Sequence, residues 1–464
     1  MSTSQQYDAI VIGSGQGGTP LSIALAEAGM HTALIEREHV GGTCINEGCT
    51  PTKTMVASGR VAYLARRAAD YGVHTGPISI DMNRVRQRKR DIVESFRGGS
   101  EKRIQDTQNL DLISGEASFT SPKTLIVKSH DGNSRSVSAT RIFINAGARS
   151  SRPRLDGFES VDALDNISIM ELGTVPEHLL VLGGGYIGLE FGQLFRRLGS
   201  RVTIVQSGKQ LLTREDLDVA EEVQKILRED GIDVILSAKA TRVDGQGNAI
   251  HLRIQAQGTT TTVTGSHLLV ATGRTPNSDT LNLPAAGVRT DDRGFIQVNE
   301  RLETTAPDIH ALGDIKGGPA FTHISYDDFR ILRANLLEHK NASTKDRFVP
   351  YTVFIDPQLG RIGLTETEAR KQGRNIQVAK LPMSSVARAL EIDETRGFMK
   401  AVVDAESQQI LGAAVLGIEG GEIMSVLETA MMGKLPYIVL QDATYAHPTL
   451  SESLNNLFMA MDKD

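Results

Sequence analysis

The chain of 464 residues contains no tryptophan and only two cysteines, Cys44 and Cys49. None of its apolar runs approaches the ~20 residues that span a bilayer, so no membrane-spanning helix is predicted. Lysine and arginine total 50 against 56 for aspartate and glutamate, which gives a net charge of −6 without a long basic block. Nucleic acid is therefore not expected to be the main partner.

The first residues of the chain, 1–7, lack a charged segment followed by an apolar one, so no secretory signal is expected. Two cysteines without such a signal fit a reducing cytoplasm, where a cysteine pair is more often catalytic than structural. A cytoplasmic location is predicted on this basis. The length predicts about three domains, and a hydrophobic content of 40% is enough to bury several cores.

Both cysteines lie in one segment, residues 41–53, with four residues between them. A structural disulfide is one interpretation, although closing so short a loop removes little entropy from the unfolded chain. On a regular helix, residues five apart are separated by ~7.5 Å along the axis, whereas a disulfide needs Cα atoms within about 7 Å. The backbone must therefore be distorted, and Gly48 allows this. A strained and accessible pair opens and closes readily, as a redox centre requires.

A glycine-rich loop follows the first apolar, β-branched run and precedes a helix-forming run. Gly13, Gly15 and Gly18 fit the pattern Gly-x-Gly-x-x-Gly, which lets a pyrophosphate approach the positive end of a helix. A second apolar run ends at Glu36, near the distance expected for the carboxylate that holds a ribose hydroxyl. The alternative is that Glu36 is a solvated charge at the end of a strand.

The same pattern recurs about 170 residues later, with Gly183, Gly185 and Gly188 between a strand-like and a helical run. Two such matches in the same context predict two dinucleotide sites. The second strand of the repeat ends at Gln206 instead of an acid, so no carboxylate repels a 2′-phosphate, and Lys209 can attract one. This slightly favours NADPH, with NADH as the alternative.

The segment Gly-Gly-Thr-Cys-x4-Cys-x3-Lys resembles the redox-active segment of the FAD-dependent pyridine nucleotide-disulfide oxidoreductases. That family includes dihydrolipoamide dehydrogenase, glutathione reductase and mercuric reductase. Residues 268–277, 310–314 and 445–454 resemble three further motifs of the family. The resemblance implies an α/β fold with two Rossmann-like dinucleotide-binding domains plus an α+β C-terminal dimerisation domain.

The resemblance also implies how the chain is divided into domains. It predicts an FAD-binding domain over residues 1–150 and an NAD(P)-binding domain over residues 151–273. Residues 274–345 then return to the FAD or central domain, and residues 346–464 form the dimerisation (interface) domain.

The resemblance assigns FAD to the first glycine loop and NADPH or NADH to the second. Asn145 departs from the residue that the family usually has before Ala146. No metal site is predicted. The residues expected to bind the two cofactors are Gly13, Gly15, Gly18, Glu36, Gly42, Thr43, Lys53, Ala117, Ala146, Gly147, Asp314, Gly183, Gly185, Gly188, Gln206 and Gly273.

The catalytic residues are likewise carried over from the family. Cys49 is expected beside the flavin, and Cys44 is expected to meet the substrate. His447 would take and return the Cys44 proton near neutral pH, while Glu452 orients its imidazole. In the family this histidine comes from the other subunit, so the resemblance implies an obligate homodimer.

Lys53 and Glu190 match a buried pair beside the flavin ring, where the ammonium stabilises reduced flavin. The alternative for Lys53 is a solvated lysine near the start of a helix. Both residues are counted among the predicted catalytic residues.

The electron acceptor is predicted from phrases that begin at Phe354, Ala387 and Ser451. They look most like the mercuric reductase-like branch, which includes flavoproteins that protect bacteria against reactive chlorine species. Mercuric reductases transfer Hg(II) through an additional cysteine pair, and this chain has no third cysteine. The sequence therefore predicts an NAD(P)H-dependent flavoprotein reductase that passes electrons through the Cys44–Cys49 disulfide to a small disulfide or oxidised sulfur acceptor. The alternatives are a dihydrolipoamide dehydrogenase, a mercuric ion reductase and a flavin-bound redox sensor.

Overall fold

The computed structural model describes residues 5–247 and 249–463. The prediction that no secretory signal is present rests partly on residues 1–4, which lie outside the described residues. As far as it is described, the chain forms two compact units. The first is made of Met1–Thr54, Arg84–Ser151 and Gly273–Arg347, and the second is made of Met55–Asn83, Arg152–Thr272 and Phe348–Asp464.

The strands are numbered in chain order. They are β1 (Gln5–Ile12), β2 (Thr32–Glu36), β3 (Leu110–Ser114), β4 (Glu116–Ser121), β5 (Thr124–Lys128), β6 (Ser134–Ile144), β7 (Ala148–Ser150), β8 (His178–Leu182), β9 (Arg201–Val205), β10 (Asp233–Ile235), β11 (Ala238–Gln246), β12 (Ala249–Ala256), β13 (Thr259–Gly265), β14 (His267–Val270), β15 (Arg274–Pro276), β16 (Ile309–Ala311), β17 (Tyr351–Val353), β18 (Gln358–Gly363), β19 (Ile376–Pro382), β20 (Phe398–Asp404) and β21 (Ile410–Gly417).

The α-helices are numbered in the same way. They are α1 (Gly18–Glu27), α2 (Gly42–Asn46), α3 (Cys49–Arg66), α4 (Met82–Gln105), α5 (Tyr186–Leu198), α6 (Leu217–Glu229), α7 (Leu283–Ala286), α8 (Thr322–Leu337), α9 (Glu366–Lys371), α10 (Ala387–Glu391), α11 (Gly420–Met432), α12 (Tyr437–Gln441) and α13 (Ser453–Met459).

The first unit is built on a sheet with the strand order β3-β2-β1-β6-β5-β4, in which β16 also pairs with β6. The pairs β1–β2, β2–β3, β1–β6 and β6–β16 are parallel, whereas β4, β5 and the first half of β6 form an antiparallel meander. Successive residues of β1 enter opposite cores, with Ile10 and Ile12 on one face and Ala9 and Val11 on the other. A parallel sheet buried on both faces explains why this strand reads as a continuous apolar run.

The second unit contains three sheets. Strands β10-β9-β8-β14 form a parallel sheet, and β11-β12-β13 form an antiparallel one. Strands β17-β18-β21-β20-β19 form a five-stranded antiparallel sheet. Helix α11 packs on β18 and β21 of this last sheet, and its buried residues join the core that also holds Leu454 and Phe458 of α13.

Between α3 and α4, residues 72–81 form a turn and an irregular segment. The chain turns at Gly115 between β3 and β4, where Gly115 has a φ of +153° and a Cβ would lie 2.7 Å from the backbone oxygen of Lys128. The division of the chain into four domain segments remains a prediction.

Candidate active site

The first glycine loop joins β1 to α1. A Cβ added to Gly13 would lie 2.4 Å from the backbone oxygen of Asn145, and one added to Gly18 would lie 2.0 Å from the oxygen of Gly13. The crowding is least at Gly15, where the nearest atom to such a Cβ is the Asn145 side-chain nitrogen at 3.0 Å. The outer glycines therefore permit the tight turn and the close helix packing, and the middle one carries the backbone that a pyrophosphate would approach.

Glu36 ends β2 and turns its carboxylate toward this loop. Its Oε2 accepts hydrogen bonds from the Ser14 backbone N–H at 2.9 Å and from the Ser14 hydroxyl at 2.6 Å. Its Oε1 accepts from the Glu38 N–H at 2.9 Å. The carboxylate is thus fixed by the loop rather than solvated alone, at the position where a ribose hydroxyl would be received.

Among the other predicted FAD residues, Gly42 lies against the same loop. Gly42 and Thr43 begin α2, and a Cβ on Gly42 would lie 2.7 Å from the Gly15 Cα, so the start of this helix approaches the loop backbone. Ala117 lies in β4 and is 3% exposed.

The segments that follow β6 and β14 meet in the first unit. Strand β7 pairs with β15, and the Ser151 N–H donates to the Gly273 oxygen at 3.0 Å. The Asn277 side chain donates to the Ala146 oxygen at 2.8 Å, and its backbone N–H donates to the Gly147 oxygen at 3.1 Å. Ala146, Gly147 and Gly273 therefore belong to one hydrogen-bonded crossing of two chain segments.

Asp314 lies in the 3₁₀ turn that follows β16. Burial raises the pKa of this carboxyl above its usual value, and the attraction of Arg274 and Lys316 only partly offsets that effect. The Arg274 guanidinium is 3.5 Å from Asp314 Oδ2. A carboxylate that has lost much of its hydration and has cationic neighbours can accept a hydrogen bond from a ligand hydroxyl.

The two cysteines lie on either side of a break between two helices. Cys44 is in α2, Cys49 is the first residue of α3, and neither is part of a disulfide. A Cβ on Gly48 would lie 2.9 Å from the Thr43 oxygen and 3.3 Å from the Cys44 Cα. The break therefore depends on glycine at this position, and it brings together two sulfurs that a continuous helix would point in different directions.

The sulfurs interact with each other and with a nearby hydroxyl. A hydrogen bond with Cys49 and burial raise the pKa of the Cys44 thiol, while the Thr322 hydroxyl and the positive charge of Lys53 lower it. The Cys49 Sγ lies 3.4 Å from the Thr322 Oγ1. Two adjacent sulfurs cannot both ionise easily, so the pair holds one negative charge more readily than two.

The second glycine loop, between β8 and α5, repeats the design of the first. A Cβ on Gly183 would lie 2.4 Å from the Ala271 oxygen, and one on Gly188 would lie 2.2 Å from the Gly183 oxygen. At Gly185 no atom lies within 4 Å of such a Cβ. The open space over the middle glycine fits the approach of a second pyrophosphate.

Gln206 follows β9 and also bonds to its glycine loop. Its Oε1 accepts from the Gly184 N–H at 3.0 Å, and its Nε2 donates to the Gln210 oxygen at 3.3 Å. Ser207 and Lys209, which follow Gln206, are exposed. The position thus presents an amide NH₂ group and a nearby ammonium, and no carboxylate.

Lys53 belongs to the first unit and Glu190 to the second. Lys53 lies on α3, four residues after Cys49. Glu190 lies on α5, is 3% exposed and accepts a hydrogen bond from the Phe354 N–H at 2.9 Å. Their pairing remains a prediction.

His447 and Glu452 form a hydrogen-bonded pair in the second unit. The His447 Nδ1 lies 3.0 Å from one carboxylate oxygen of Glu452 and 3.1 Å from the other. The imidazole side chain is 73% exposed, whereas the carboxylate side chain is 22% exposed. Glu452 thus fixes the ring by one nitrogen and leaves the rest of it facing outward.

Several apolar side chains of the same unit are also exposed. Met432 at the end of α11 is 65% exposed, Leu435 is 40%, Val439 on α12 is 44% and Met459 on α13 is 43%. Exposed apolar side chains that cluster in one part of a fold often mark an interaction surface.

The described residues contain neither a cluster of metal-ligating side chains nor a membrane-spanning helix. No group of three or more His, Cys, Asp or Glu side chains able to hold a metal ion occurs there. In the same part of the chain, no helix combines the length and the apolar character needed to cross a membrane.

Sequence reasoning missed three residues that contact the predicted site: Ser14, Asn145 and Thr322. Ser14 could have been identified from the sequence, because Ser14 occupies the first variable position of the glycine pattern, beside the predicted pyrophosphate. Asn145 was noticed only as a departure from the family. Thr322 had no local signal, because it is 273 residues from the cysteine that it contacts.

Comparisons with known protein families give two matches. The model described as pyridine nucleotide-disulphide oxidoreductase matches residues 7–328. The model described as the pyridine nucleotide-disulphide oxidoreductase dimerisation domain matches residues 349–458.

Several curated proteins are similar over nearly the whole chain. The probable pyridine nucleotide-disulfide oxidoreductase RclA of Escherichia coli (strain K12) is 39% identical over 457 residues, which cover 98% of this chain and 99% of RclA. A mercuric reductase of Bacillus cereus is 34% identical over 99% of this chain and 72% of its own length. A dihydrolipoyl dehydrogenase of Thermus scotoductus is 33% identical over 98% of both chains.

A solved structure has a similar fold. The Cu(II) complex of the HOCl-induced flavoprotein disulfide reductase RclA from Escherichia coli matches with a TM-score of 0.90 and 38% identity, over 98% of this chain and 99% of that one.

Proposed function

Because the chain belongs to the pyridine nucleotide-disulphide oxidoreductase family, we propose that it uses NADPH to reduce a small disulfide or an oxidised sulfur species through Cys44 and Cys49. The predicted family, fold class, enzyme class and cofactors are confirmed: the protein is an FAD-dependent disulfide oxidoreductase that uses NAD(P)H. The dimerisation domain supports a homodimer. The proposal adds the acceptor, the coenzyme preference and the role of each residue.

The observation that carries the proposal is the pair of hydrogen-bonded thiols at the break between α2 and α3. This break adjoins the first glycine loop, whose crowded outer glycines and less crowded middle glycine fit a bound dinucleotide. When bound, FAD supplies a relay that accepts a hydride from NAD(P)H and passes two electrons to a disulfide. The sulfur pair is the group in this chain that can receive those electrons.

The proposed reaction begins with reduction of the Cys44–Cys49 disulfide. Two electrons and one proton break the Cys44–Cys49 bond and leave Cys49 as a thiolate and Cys44 as a thiol. Cys44 loses its proton and attacks one sulfur of the acceptor, which forms a mixed disulfide and releases a first thiol. Cys49 then attacks Cys44, so the protein disulfide forms again and a second thiol is released after it takes a proton from solvent.

His447 is proposed as the base that removes the Cys44 proton and returns it to the first leaving thiol. A base is needed because burial and the neighbouring sulfur raise the pKa of the Cys44 thiol. The contact with Glu452 orients the ring and stabilises its cation. Since the ring is largely exposed on its own protomer, we propose that it serves the disulfide of the partner subunit.

The remaining predicted residues keep their proposed roles. Lys53 and Glu190 are proposed as the pair beside the flavin ring, and Asp314 as the acceptor for a hydroxyl of the ribityl chain. A cytoplasmic location stays a prediction based on the two cysteines.

NADPH is proposed as the preferred coenzyme on the basis of Gln206. Its NH₂ group and the exposed Lys209 offer donors and positive charge to a 2′-phosphate, and no acid at this position repels one.

The test is turnover by wild-type and Cys44→Ser enzyme with a substrate panel that contains a small disulfide or Hg(II) as acceptors for NADPH electrons, and dihydrolipoamide as a donor to NAD⁺. We expect NADPH oxidation with the small disulfide in the wild type and at least a hundredfold loss in Cys44→Ser, which should retain FAD and still accept electrons from NADPH. Equal turnover by the two proteins would exclude the dithiol route. Faster turnover with dihydrolipoamide and NAD⁺ would instead favour a dihydrolipoamide dehydrogenase.

A second candidate acceptor is Cu(II). It is favoured by the solved Cu(II) complex of the Escherichia coli relative. Adding Cu(II) to the same panel distinguishes the two proposals, because a metal acceptor needs no leaving thiol and its reduction should not depend on His447.

A further inference from the structure

Thr322 places its hydroxyl in contact with a cysteine sulfur. It is the first residue of α8, and its Oγ1 lies 3.4 Å from the Cys49 Sγ. Both residues belong to the first unit.

The direction of this hydrogen bond depends on the charge of the sulfur. While Cys49 is a thiol, either group can donate the hydrogen. Once Cys49 ionises, its sulfur can only accept, so the Thr322 hydroxyl must donate. A hydrogen bond to a charged acceptor is stronger than one between neutral groups, so the contact favours the thiolate over the thiol.

We propose that Thr322 is the hydrogen-bond donor that stabilises the Cys49 thiolate in the reduced enzyme. The inference rests on the proposed function, in which Cys49 carries the negative charge after the disulfide is reduced. It goes beyond that function because it assigns part of the stabilisation of this charge to α8, an element far from the cysteines in sequence.

The surroundings of the sulfur support the proposal. Helix α8 is 16 residues long and presents its N-terminal, positive end at Thr322, with no side-chain cap hydrogen bond at Phe321. The Cys44 thiol on α2 and the Lys53 ammonium on α3 also act on the charge of the sulfur pair. The Thr322 hydroxyl and Lys53 both lower the pKa of the Cys44 thiol, which agrees with a donor and a cation directed at the shared charge.

The experiment uses the Cys44→Ser holoenzyme, so that the ionisation of a single sulfur is followed. With Cys44 absent, Cys49 titrates alone, and the difficulty of two coupled ionisations disappears. Into this background we would place Thr322→Val, which keeps the shape and removes the hydroxyl, and Thr322→Ser, which keeps the hydroxyl. Two quantities are measured as a function of pH. They are the rate of Cys49 alkylation by iodoacetamide and the long-wavelength charge-transfer absorbance from the Cys49 thiolate to bound flavin.

We expect the alkylation midpoint of the valine variant to lie about one pH unit above that of the Cys44→Ser parent, so that about tenfold less thiolate is present below it. The serine variant should restore the parent midpoint. A valine variant with the parent midpoint would overturn the inference. An equal shift in the valine and serine variants would also overturn it, because the effect would then come from packing and not from the hydroxyl.

The absorbance measurement distinguishes a failure of this inference from a failure of the proposed function. A Cys44→Ser enzyme that binds FAD but shows no long-wavelength band at any pH would contradict the position of Cys49 beside the flavin. In that case the alkylation midpoints still decide whether Thr322 stabilises the thiolate, because they do not depend on the flavin.

Discussion

His310 shows how burial sets the protonation of a single side chain. It lies in β16, where its ring stacks on Phe143 with centroids 5.2 Å apart, and its Nδ1 is buried without a hydrogen-bond partner. Burial lowers the pKa of this imidazole from 6.5 to about 4, and the positive charges of Arg141 and Lys123 act in the same direction. The folded state therefore holds His310 neutral at pH values where the unfolded chain would protonate it.

The sign of the resulting pH dependence follows from the lower folded-state pKa. Above the unfolded value of 6.5 the contribution to stability is complete, and it is lost as the pH falls toward about 4. We predict that His310→Leu reduces the acid-induced loss of unfolding free energy between these pH values by about 2 kcal/mol. Urea unfolding at pH 7 and pH 4.5 measures this. The control is His74→Gln, since His74 is exposed; an unchanged acid loss in the leucine variant would show that His310 is not responsible.

Residues of the site were predictable from the sequence where the chemistry is local. The three-glycine spacing and the acid at the end of β2 are set within about 25 residues, because one strand, one turn and one helix determine them. Thr322 and Asn145 could not be predicted, since their contacts depend on the order in which distant strands join one sheet. The absence of an acid at position 206 was evident from the sequence, but the hydrogen bonds of Gln206 to Gly184 and Gln210 were not.

At the scale of the element, the important feature is the break between α2 and α3. The sequence predicted a distorted backbone near Gly48, because two sulfurs five positions apart cannot meet on a regular helix. What it could not specify is that α2 ends at Asn46 and α3 begins at Cys49 itself.

The break leads to a prediction for Gly48→Ala. The added Cβ would lie 2.9 Å from the Thr43 oxygen and 3.3 Å from the Cys44 Cα, so one of the two helices must shift. Because small displacements of reacting groups cost about 10–100-fold in rate, we expect a loss of that order in acceptor turnover while FAD is retained.

The matched control for this variant is Gly99→Ala on α4, where nothing lies within 4 Å of the new Cβ. It should leave turnover unchanged. Turnover by Gly48→Ala at the wild-type rate would mean that the sulfurs do not require the break.

At the scale of the whole molecule, the proposed reaction needs two protomers. The exposed His447 ring and the exposed apolar side chains of α11 and α12 lie in the region that matches the dimerisation domain. A histidine that serves the other subunit makes each active site a joint product of two chains.

This dependence can be tested with mixed dimers of Cys44→Ser and His447→Ala protomers, each of which should be inactive as a homodimer. If His447 serves the partner, the mixed dimer contains one complete site and should show about half of the wild-type turnover. Differently tagged copies, purified sequentially, provide the mixed species. Activity no higher than that of the two parent variants would place the histidine and the disulfide of a working site in the same chain.

The two glycine loops also bear on how one chain keeps two adenine dinucleotides apart. In each loop, the strand-end side chain accepts a hydrogen bond from the residue after the first glycine, through Glu36 in one loop and Gln206 in the other. The two side chains differ in whether the terminal group carries a second oxygen or an NH₂ group. A carboxylate repels the 2′-phosphate of NADPH, whereas an amide does not. We therefore expect the flavin pocket to reject NADPH because of one atom: Glu36 has an oxygen where Gln206 has a nitrogen.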